Sequence, residues 1–78
     1  MLVTITVSQE ARNAEIRKQI MDLRDQRYRL YKEIARLEDL QLFEPKSFTE
    51  EHAYWLRYHK ADVARIKAEE ARLRTLVR

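Results

Sequence analysis

The sequence contains no cysteine, no glycine and a single proline, Pro45. Without cysteine the chain forms neither a disulfide nor a thiolate metal site. Sheet proteins of this size need glycine at turns with positive φ, whereas long helices do not. Charged residues make up 37% of the chain and hydrophobic residues 45%, so there is enough apolar side chain for a core. These features predict an all-α protein built from long amphipathic helices.

No apolar run approaches the roughly 20 residues that span a bilayer, and the N-terminus lacks the pattern of a secretory leader. We therefore expect a cytoplasmic protein with no membrane partner. The chain has 78 residues, so we expect one domain, residues 1–78. A domain this short is marginally stable alone, and with disulfides excluded it needs regular helix packing or a partner chain.

A short extended segment and then a long helix are predicted from the first half of the chain. Residues 2–7 alternate in side-chain type and are rich in β-branched residues, which is typical of a strand. A helix is predicted from about residue 9 to residue 42, with Ser8 as its N-cap. Its apolar residues recur at alternating steps of four and three, which is a heptad seam. The seam comprises Ile16, Ile20, Leu23, Leu30, Ile34 and Leu37, with Arg27 at the one charged step.

The same helix carries a second apolar stripe with a spacing of seven residues. Its members are Ala14, Met21, Tyr28, Ala35 and Leu42. Together the two stripes are wider than a two-stranded seam requires, and such a face is typical of a helix with two neighbours in a bundle. We therefore expect a homodimer that forms an antiparallel four-helix bundle, because closed two-fold dimers are the commonest symmetric assembly.

The helical pattern breaks once, between Phe43 and Thr49, where Pro45 disfavours helix at the residue before it. Residues 47–50, Ser-Phe-Thr-Glu, fit a capping box, so a second helix is predicted over residues 49–77. The connection is short, which predicts an antiparallel two-helix hairpin. The apolar seam of the second helix contains Leu56, Val63, Ile66 and Leu73, interrupted by His59 and Glu70 and followed by Val77.

Residues that could support catalysis or bind a metal are sparse. His52 and His59 lie two helical turns apart, about 10 Å, which is too far to share one ion. We interpret both as structural, and expect His59 to hydrogen-bond to Glu33 or Glu38. The chain has no glycine-rich phosphate loop, so we expect no metal, no cofactor and no enzymatic activity. Arg27 either pairs with Asp62, Glu69 or Glu70 to set the helix register, or faces a partner.

Aromatic residues suggest a binding surface instead. Tyr54, Trp55 and Tyr58 lie on the first turns of the second helix, with Arg57 among them and Tyr31 on the first helix expected nearby. Trp, Tyr and Arg dominate the energetics of protein interfaces. Because the three aromatic residues on the second helix do not all point the same way, at least one is expected to be exposed. We predict a partner-binding site formed by Tyr31, Tyr54, Trp55, Arg57 and Tyr58.

Two resemblances accompany these patterns. Residues 29–38, RLYKEIARLE, and residues 62–67, DVARIK, resemble short bacterial helical-hairpin proteins of the SlyX-like type, which implies the fold alone. The whole organisation, including the opening VTITVSQE of residues 3–10, resembles small host-takeover proteins of temperate Pseudomonas phages, such as the anti-quorum-sensing and twitching-inhibitory proteins. That resemblance implies a phage protein in the host cytoplasm that inhibits a transcription activator of quorum sensing, the pilus-extension ATPase, or both. It assigns no residue.

Three functions therefore compete. The first is a protein-binding inhibitor or adaptor. The second is a basic helical regulator that binds nucleic acid, since the first helix carries several cations among its acidic residues. Those cations are Arg12, Arg17, Lys18, Arg24, Arg27 and Arg29. The third is a structural coiled-coil subunit of a larger assembly.

Overall fold

The computed structural model describes the backbone of residues 2–77 and the side chains of residues 8–77. Two helices, α1 (Leu2–Phe43) and α2 (Glu50–Arg74), are joined by one turn of 3-10 helix over Pro45–Ser47. Arg27 contacts Glu70, and Glu38 contacts Lys60, so residues further along α1 meet residues earlier in α2. The helices are therefore antiparallel, and the predicted all-α hairpin is confirmed. The molecule is 67 Å long and 14 Å across.

The predicted extended segment at residues 2–7 is wrong, because α1 begins at Leu2. A lone strand leaves its N–H and C=O groups unpaired unless another strand lies beside it, whereas a helix pairs these groups within itself. Neither glycine nor proline separates this segment from the helix. The helix therefore continues through Ser8, which lies inside α1 and is not its N-cap.

The connection between the helices follows from Pro45 and Thr49. Pro45 lies in the first turn of the 3-10 helix, where its missing N–H costs nothing. Thr49 is the N-cap of α2: its hydroxyl accepts a hydrogen bond from the His52 backbone N–H at 3.3 Å, and its own N–H donates to His52 Nδ1 at 3.0 Å. The capping box thus starts at Thr49, two residues later than predicted, and a histidine takes the usual place of glutamate.

The core lies along the predicted heptad seams. Buried side chains alternate along the facing sides of both helices, and Ile66 and Leu37 are almost completely enclosed, at 1% and 2% exposure. The predicted core residues Ile16, Ile34, Leu37, Leu56, Val63, Ile66 and Leu73 are buried, and Ile20, Leu23 and Leu30 are half-buried. Phe48, in the connection, closes the loop end of this core by packing against it.

The second helix is shorter than predicted, since α2 ends at Arg74 and Thr75 is its C-cap. The Thr75 hydroxyl donates a hydrogen bond to the Arg72 carbonyl at 2.6 Å. Because the Thr75 hydroxyl donates to this carbonyl, the carbonyl is less available to a backbone N–H of a following helical turn. The bond therefore favours the end of α2 at this point. Val77, the predicted end of the helix, follows the final turn and is half-buried.

Candidate protein-binding surfaces

Four rings form a continuous cluster on the loop-proximal half of α2. We call Tyr54, Trp55, Tyr58 and His59 the aromatic cluster. Tyr54 meets Trp55 edge-on at 5.3 Å between ring centroids and stacks with Tyr58 at 6.2 Å. Trp55 stacks with His59 at 5.8 Å and meets Tyr58 edge-on at 5.6 Å. Residues three and four apart are neighbours on a helix, which brings Tyr58 to Tyr54 and Trp55 and brings His59 to Trp55, while the large adjacent rings of Tyr54 and Trp55 touch at their edges.

The three large rings of the aromatic cluster are substantially exposed. Tyr54, Trp55 and Tyr58 are 52%, 42% and 51% exposed. Arg57 is also exposed and has no ion-pair partner among the described residues. A contiguous group of half-exposed aromatic residues beside an unpaired arginine has the composition of an interface hot spot.

His59 forms the inner edge of the aromatic cluster, and its Nδ1 is buried without a hydrogen-bond partner. The expected bond to Glu33 or Glu38 is absent, because both carboxylates bind other side chains. Glu33 accepts a 2.7 Å hydrogen bond from Arg36, which holds the pKa of the Glu33 carboxyl below its usual value. Glu38 pairs with Lys60 at 3.5 Å. His59 is thus held by ring stacking on Trp55.

Tyr31 does not join the aromatic cluster. Two cations lie over its ring, with the Arg27 guanidinium 5.7 Å and the Lys67 ammonium 5.8 Å from the ring centroid. Arg27 also donates to the Tyr31 hydroxyl at 3.5 Å. The hydrogen bond from Arg27, followed by that from Lys67, lowers the pKa of the Tyr31 phenol below its ordinary value. Tyr31 therefore belongs to a polar contact between the helices.

Arg27 occupies the charged step of the α1 seam and pairs across the hairpin with Glu70. Arg27 Nε lies 3.1 Å from Glu70 Oε2, and Nη2 donates to Oε1 at 3.5 Å. The Nε–H does not point at an acceptor, so attraction between the charges contributes more than a directed hydrogen bond. The Glu70 side chain is only 3% exposed. Of the two interpretations left open by the sequence, the structure shows the paired one.

A second surface lies on α1. The stripe of Ala14, Met21, Tyr28, Ala35 and Leu42, which we call the Tyr28 face, is exposed along its whole length. Met21, Tyr28 and Leu42 are 54%, 51% and 71% exposed. The guanidinium groups of Arg24 and Arg27 lie 5.8 and 5.5 Å from the centre of the Tyr28 ring. No residue of α2 covers this apolar stripe in the single chain.

The two surfaces lie on different sides of the molecule. Each residue turns a helix by about 100°, which places Tyr28 beside Tyr31 on the flank where the helices touch through Tyr31 with Lys67 and Glu38 with Lys60. The same geometry turns Trp55 and Tyr58 away from that flank, toward the outside of α2. The Tyr28 face and the aromatic cluster therefore point in different directions.

Residues 8–77 contain neither a metal-ligating cluster nor a membrane-spanning helix. No group of three or more His, Asp or Glu side chains in that range is arranged to hold a metal ion. Over the same part of the chain, neither helix combines the length and apolar character needed to cross a membrane.

Comparison with protein-family models, with curated proteins and with solved structures gives no match to this chain.

Proposed function

We propose that this chain is a small non-enzymatic inhibitor or adaptor that binds another protein through its aromatic cluster. The observation that supports this proposal is the exposure of three contacting aromatic rings on one helix, beside the unpaired Arg57. In a monomeric protein of this size, large aromatic residues that pack on each other but not into the core mark an interaction surface.

The rigidity of the aromatic cluster favours binding. Tyr54, Trp55 and Tyr58 already contact one another on a regular helix, so a partner does not have to order them. Ordering a side chain at an interface costs about 0.5–1.5 kcal/mol, and a preassembled group avoids much of that cost. The surface also combines two kinds of contact. Arg57, beside the aromatic cluster, can donate hydrogen bonds to carboxylates of a partner, and the rings offer apolar area.

The proposed partner is a host regulator or ATPase in the cytoplasm. This follows the resemblance to phage host-takeover proteins, which would make the chain an inhibitor of a quorum-sensing activator, of the pilus-extension ATPase, or of both. We further propose that the active form is a homodimer, because the Tyr28 face is exposed in the single chain. A dimer presents two copies of the aromatic cluster and fits a partner that is itself two-fold symmetric.

Affinity purification with mass spectrometry from a Pseudomonas lysate, followed by titration of the purified activator and ATPase, tests the proposal. We expect Tyr58→Ala, Tyr54→Ala and Arg57→Ala to weaken binding of the captured partner, with about a 30-fold loss for a true hot spot. The control is Leu76→Ala, which removes an exposed apolar side chain just beyond the opposite end of α2. If all three variants bind as tightly as the wild type, the aromatic cluster is not the site.

Nucleic-acid binding has less support from the structure. Arg27 pairs with Glu70, and at about 100° per residue the remaining α1 cations point in several directions around the helix. A mobility shift of duplex DNA at two salt concentrations tests this alternative. Tight binding with a steep salt dependence would favour a regulator of nucleic acid over the proposed adaptor, and open-ended assembly in light scattering would favour a structural coiled-coil subunit.

A further inference from the structure

The Tyr28 face has a size pattern that is complementary to itself. From the amino to the carboxyl end it reads small, large, aromatic, small, large, through Ala14, Met21, Tyr28, Ala35 and Leu42. The spacing is always seven residues, so Tyr28 is the midpoint. When a second copy runs antiparallel about that midpoint, Ala14 lies level with its Leu42 and Met21 lies level with its Ala35. Leu42 and Met21 each then meet an alanine, as close packing favours, and the two Tyr28 rings meet each other at the midpoint.

The charges bordering the Tyr28 face show the same complementarity. On one border Arg17 lies nearly level with Glu38 of the second copy, and Arg24 lies nearly level with its Tyr31. On the other border Lys18 lies nearly level with Asp39 of the second copy. Next to it on this border, Asp25 lies nearly level with Lys32. Three of these four pairings join opposite charges, and the fourth places a guanidinium against an aromatic ring, which is also attractive.

We propose that two copies of this chain associate through their Tyr28 faces, with the two α1 helices antiparallel and a two-fold axis passing between the two Tyr28 rings. This inference rests on the proposed homodimer and specifies its surface, direction and register. The face is long, since it extends over residues 14–42, about 42 Å of helix at 1.5 Å per residue. All five residues of the face are exposed, and they are two alanines, a methionine, a tyrosine and a leucine.

A parallel arrangement of the same faces is unfavourable for two reasons. Each residue would meet its own copy, so Leu42 would meet Leu42 and Ala14 would meet Ala14, which leaves gaps beside crowded layers. At the borders Lys18 would lie beside Arg17 of the second copy and Asp39 beside its Glu38, and these like charges repel, while Asp25 beside Arg24 is the one opposite-charge pair that remains. Electrostatics and packing therefore favour the same direction.

Cysteine cross-linking tests the register, and the chain is well suited to it because it contains no native cysteine. We expect Met21→Cys and Ala35→Cys chains, mixed in equal amounts and oxidised, to form a disulfide-linked dimer of one chain of each kind. Either variant oxidised alone should cross-link poorly, because its two cysteines lie far apart in the antiparallel dimer and disulfides require Cα atoms within about 7 Å. Efficient self-linking of both variants, as in a parallel dimer, would overturn the proposal.

Size and charge exchanges test the face itself by light scattering and analytical ultracentrifugation. We expect Ala35→Met to weaken the dimer at least about tenfold and the exchanged variant Met21→Ala/Ala35→Met to restore it. In the same way Lys18→Glu should weaken the dimer, and Lys18→Glu/Asp39→Lys should recover it. Helical content is checked by circular dichroism, so that unfolding is not mistaken for dissociation.

Three further outcomes would contradict the inference. The first of them also distinguishes failure of the dimer from failure of the proposed adaptor function. A wild-type protein that is monomeric at concentrations of tens of micromolar removes the dimer altogether, while partner capture through the aromatic cluster is measured independently. A dimer unaffected by Ala35→Met uses another face. A dimer lost in Trp55→Ala and retained in Tyr28→Glu would place self-association on the aromatic cluster.

Discussion

Arg27 and Glu70 show how one charged pair is accommodated in a small apolar interface. Each occupies a heptad position where its neighbours are Leu, Ile and Val, and each compensates the other across the two helices. An apolar seam permits the helices to slide by a heptad, whereas a single charged pair matches in one register only. The pair therefore selects the alignment of α1 with α2.

We predict that Glu70→Gln lowers the melting temperature by more than the loss of a helix cap does. The substitution preserves the shape of the side chain and leaves the Arg27 charge without its counter-charge in a poorly hydrated position. Thermal denaturation followed by circular dichroism measures the effect. Glu69→Gln is the matched control, because Glu69 is more exposed and binds Arg72 on its own helix. The double variant Arg27→Met/Glu70→Leu should recover the lost stability, and equal melting of Glu70→Gln and wild type would contradict the assignment.

Tyr31 is predicted to ionise at a lower pH in the folded protein than in the unfolded chain. Hydrogen bonds from Arg27 and then Lys67 stabilise its phenolate and lower its pKa, whereas an unfolded tyrosine titrates near pH 10. The folded protein thus loses this proton earlier than the unfolded chain, so stability from this group increases as pH rises through the folded pKa and is complete above about pH 10.

Absorbance of tyrosinate during an alkaline titration measures this effect. A step below the ordinary tyrosine range should disappear in Tyr31→Phe and move to higher pH in Arg27→Gln, while Tyr58→Phe should leave it in place. A titration in which Tyr31→Phe keeps that step would show that the two cations do not act on this phenol.

At the scale of elements, the start of α2 depends on a reciprocal bond between Thr49 and His52. Because Nδ1 of His52 accepts the Thr49 N–H, the neutral ring carries its proton on Nε2. Phe48 stacks on the same ring at 5.8 Å and packs on the core. The cap and the loop end of the core are therefore one structural unit.

Thr49→Ala is expected to cost about 1 kcal/mol of unfolding free energy, because an N–H at the start of α2 loses its acceptor. For a domain of this size that corresponds to a fall of about 4–8 °C in melting temperature. Ser47→Ala is the control, since Ser47 was the residue predicted to cap α2 and its side chain makes no cap bond. A larger loss for Ser47→Ala than for Thr49→Ala would place the cap where the sequence pattern suggested.

At the scale of the whole molecule, the hairpin separates two surfaces on one narrow rod. The Tyr28 face lies on the flank of α1, and the aromatic cluster lies on the outer side of α2 near the loop. Such a division is compatible with the proposed dimer, which would leave the proposed binding site uncovered. It also makes Trp55, the sole tryptophan of the chain, a reporter for one surface and not for the other.

We predict that the fluorescence of Trp55 stays constant as the protein is diluted through the dimer–monomer transition, because dimerisation at the Tyr28 face does not cover the indole. Binding of the proposed partner should instead shift the emission to shorter wavelength, since burial removes water from the ring. Light scattering on the same dilution series locates the transition. A shift of emission that follows dissociation would show that the dimer interface includes the aromatic cluster.

The sequence determined the helical class through its heptad spacing and lack of glycine, and the antiparallel hairpin through the short break at Pro45. It also determined the identity of most of the core, because a period of alternating three and four residues puts one face of each helix in contact. It did not determine the conformation of the first residues of the chain. Alternating β-branched residues favour a strand locally, but a strand needs a partner edge, so helix prevailed at residues 2–7. Pattern rules also misplaced the cap of α2, because His52 has an acceptor nitrogen in the place where glutamate is expected.

Only the tertiary structure decided which aromatic side chains remain exposed once α1 has packed on α2. From the sequence, Tyr31 and Tyr58 were equally plausible members of one binding site. When α1 packs on α2, Tyr31 contacts Arg27 and Lys67, whereas Tyr58 stays exposed and contacts Trp55. Which polar groups pair across two helices depends on their register, a long-range quantity that no local spacing specifies. For the same reason, only the folded structure shows that Arg27 pairs with Glu70 and not with the other two acidic candidates.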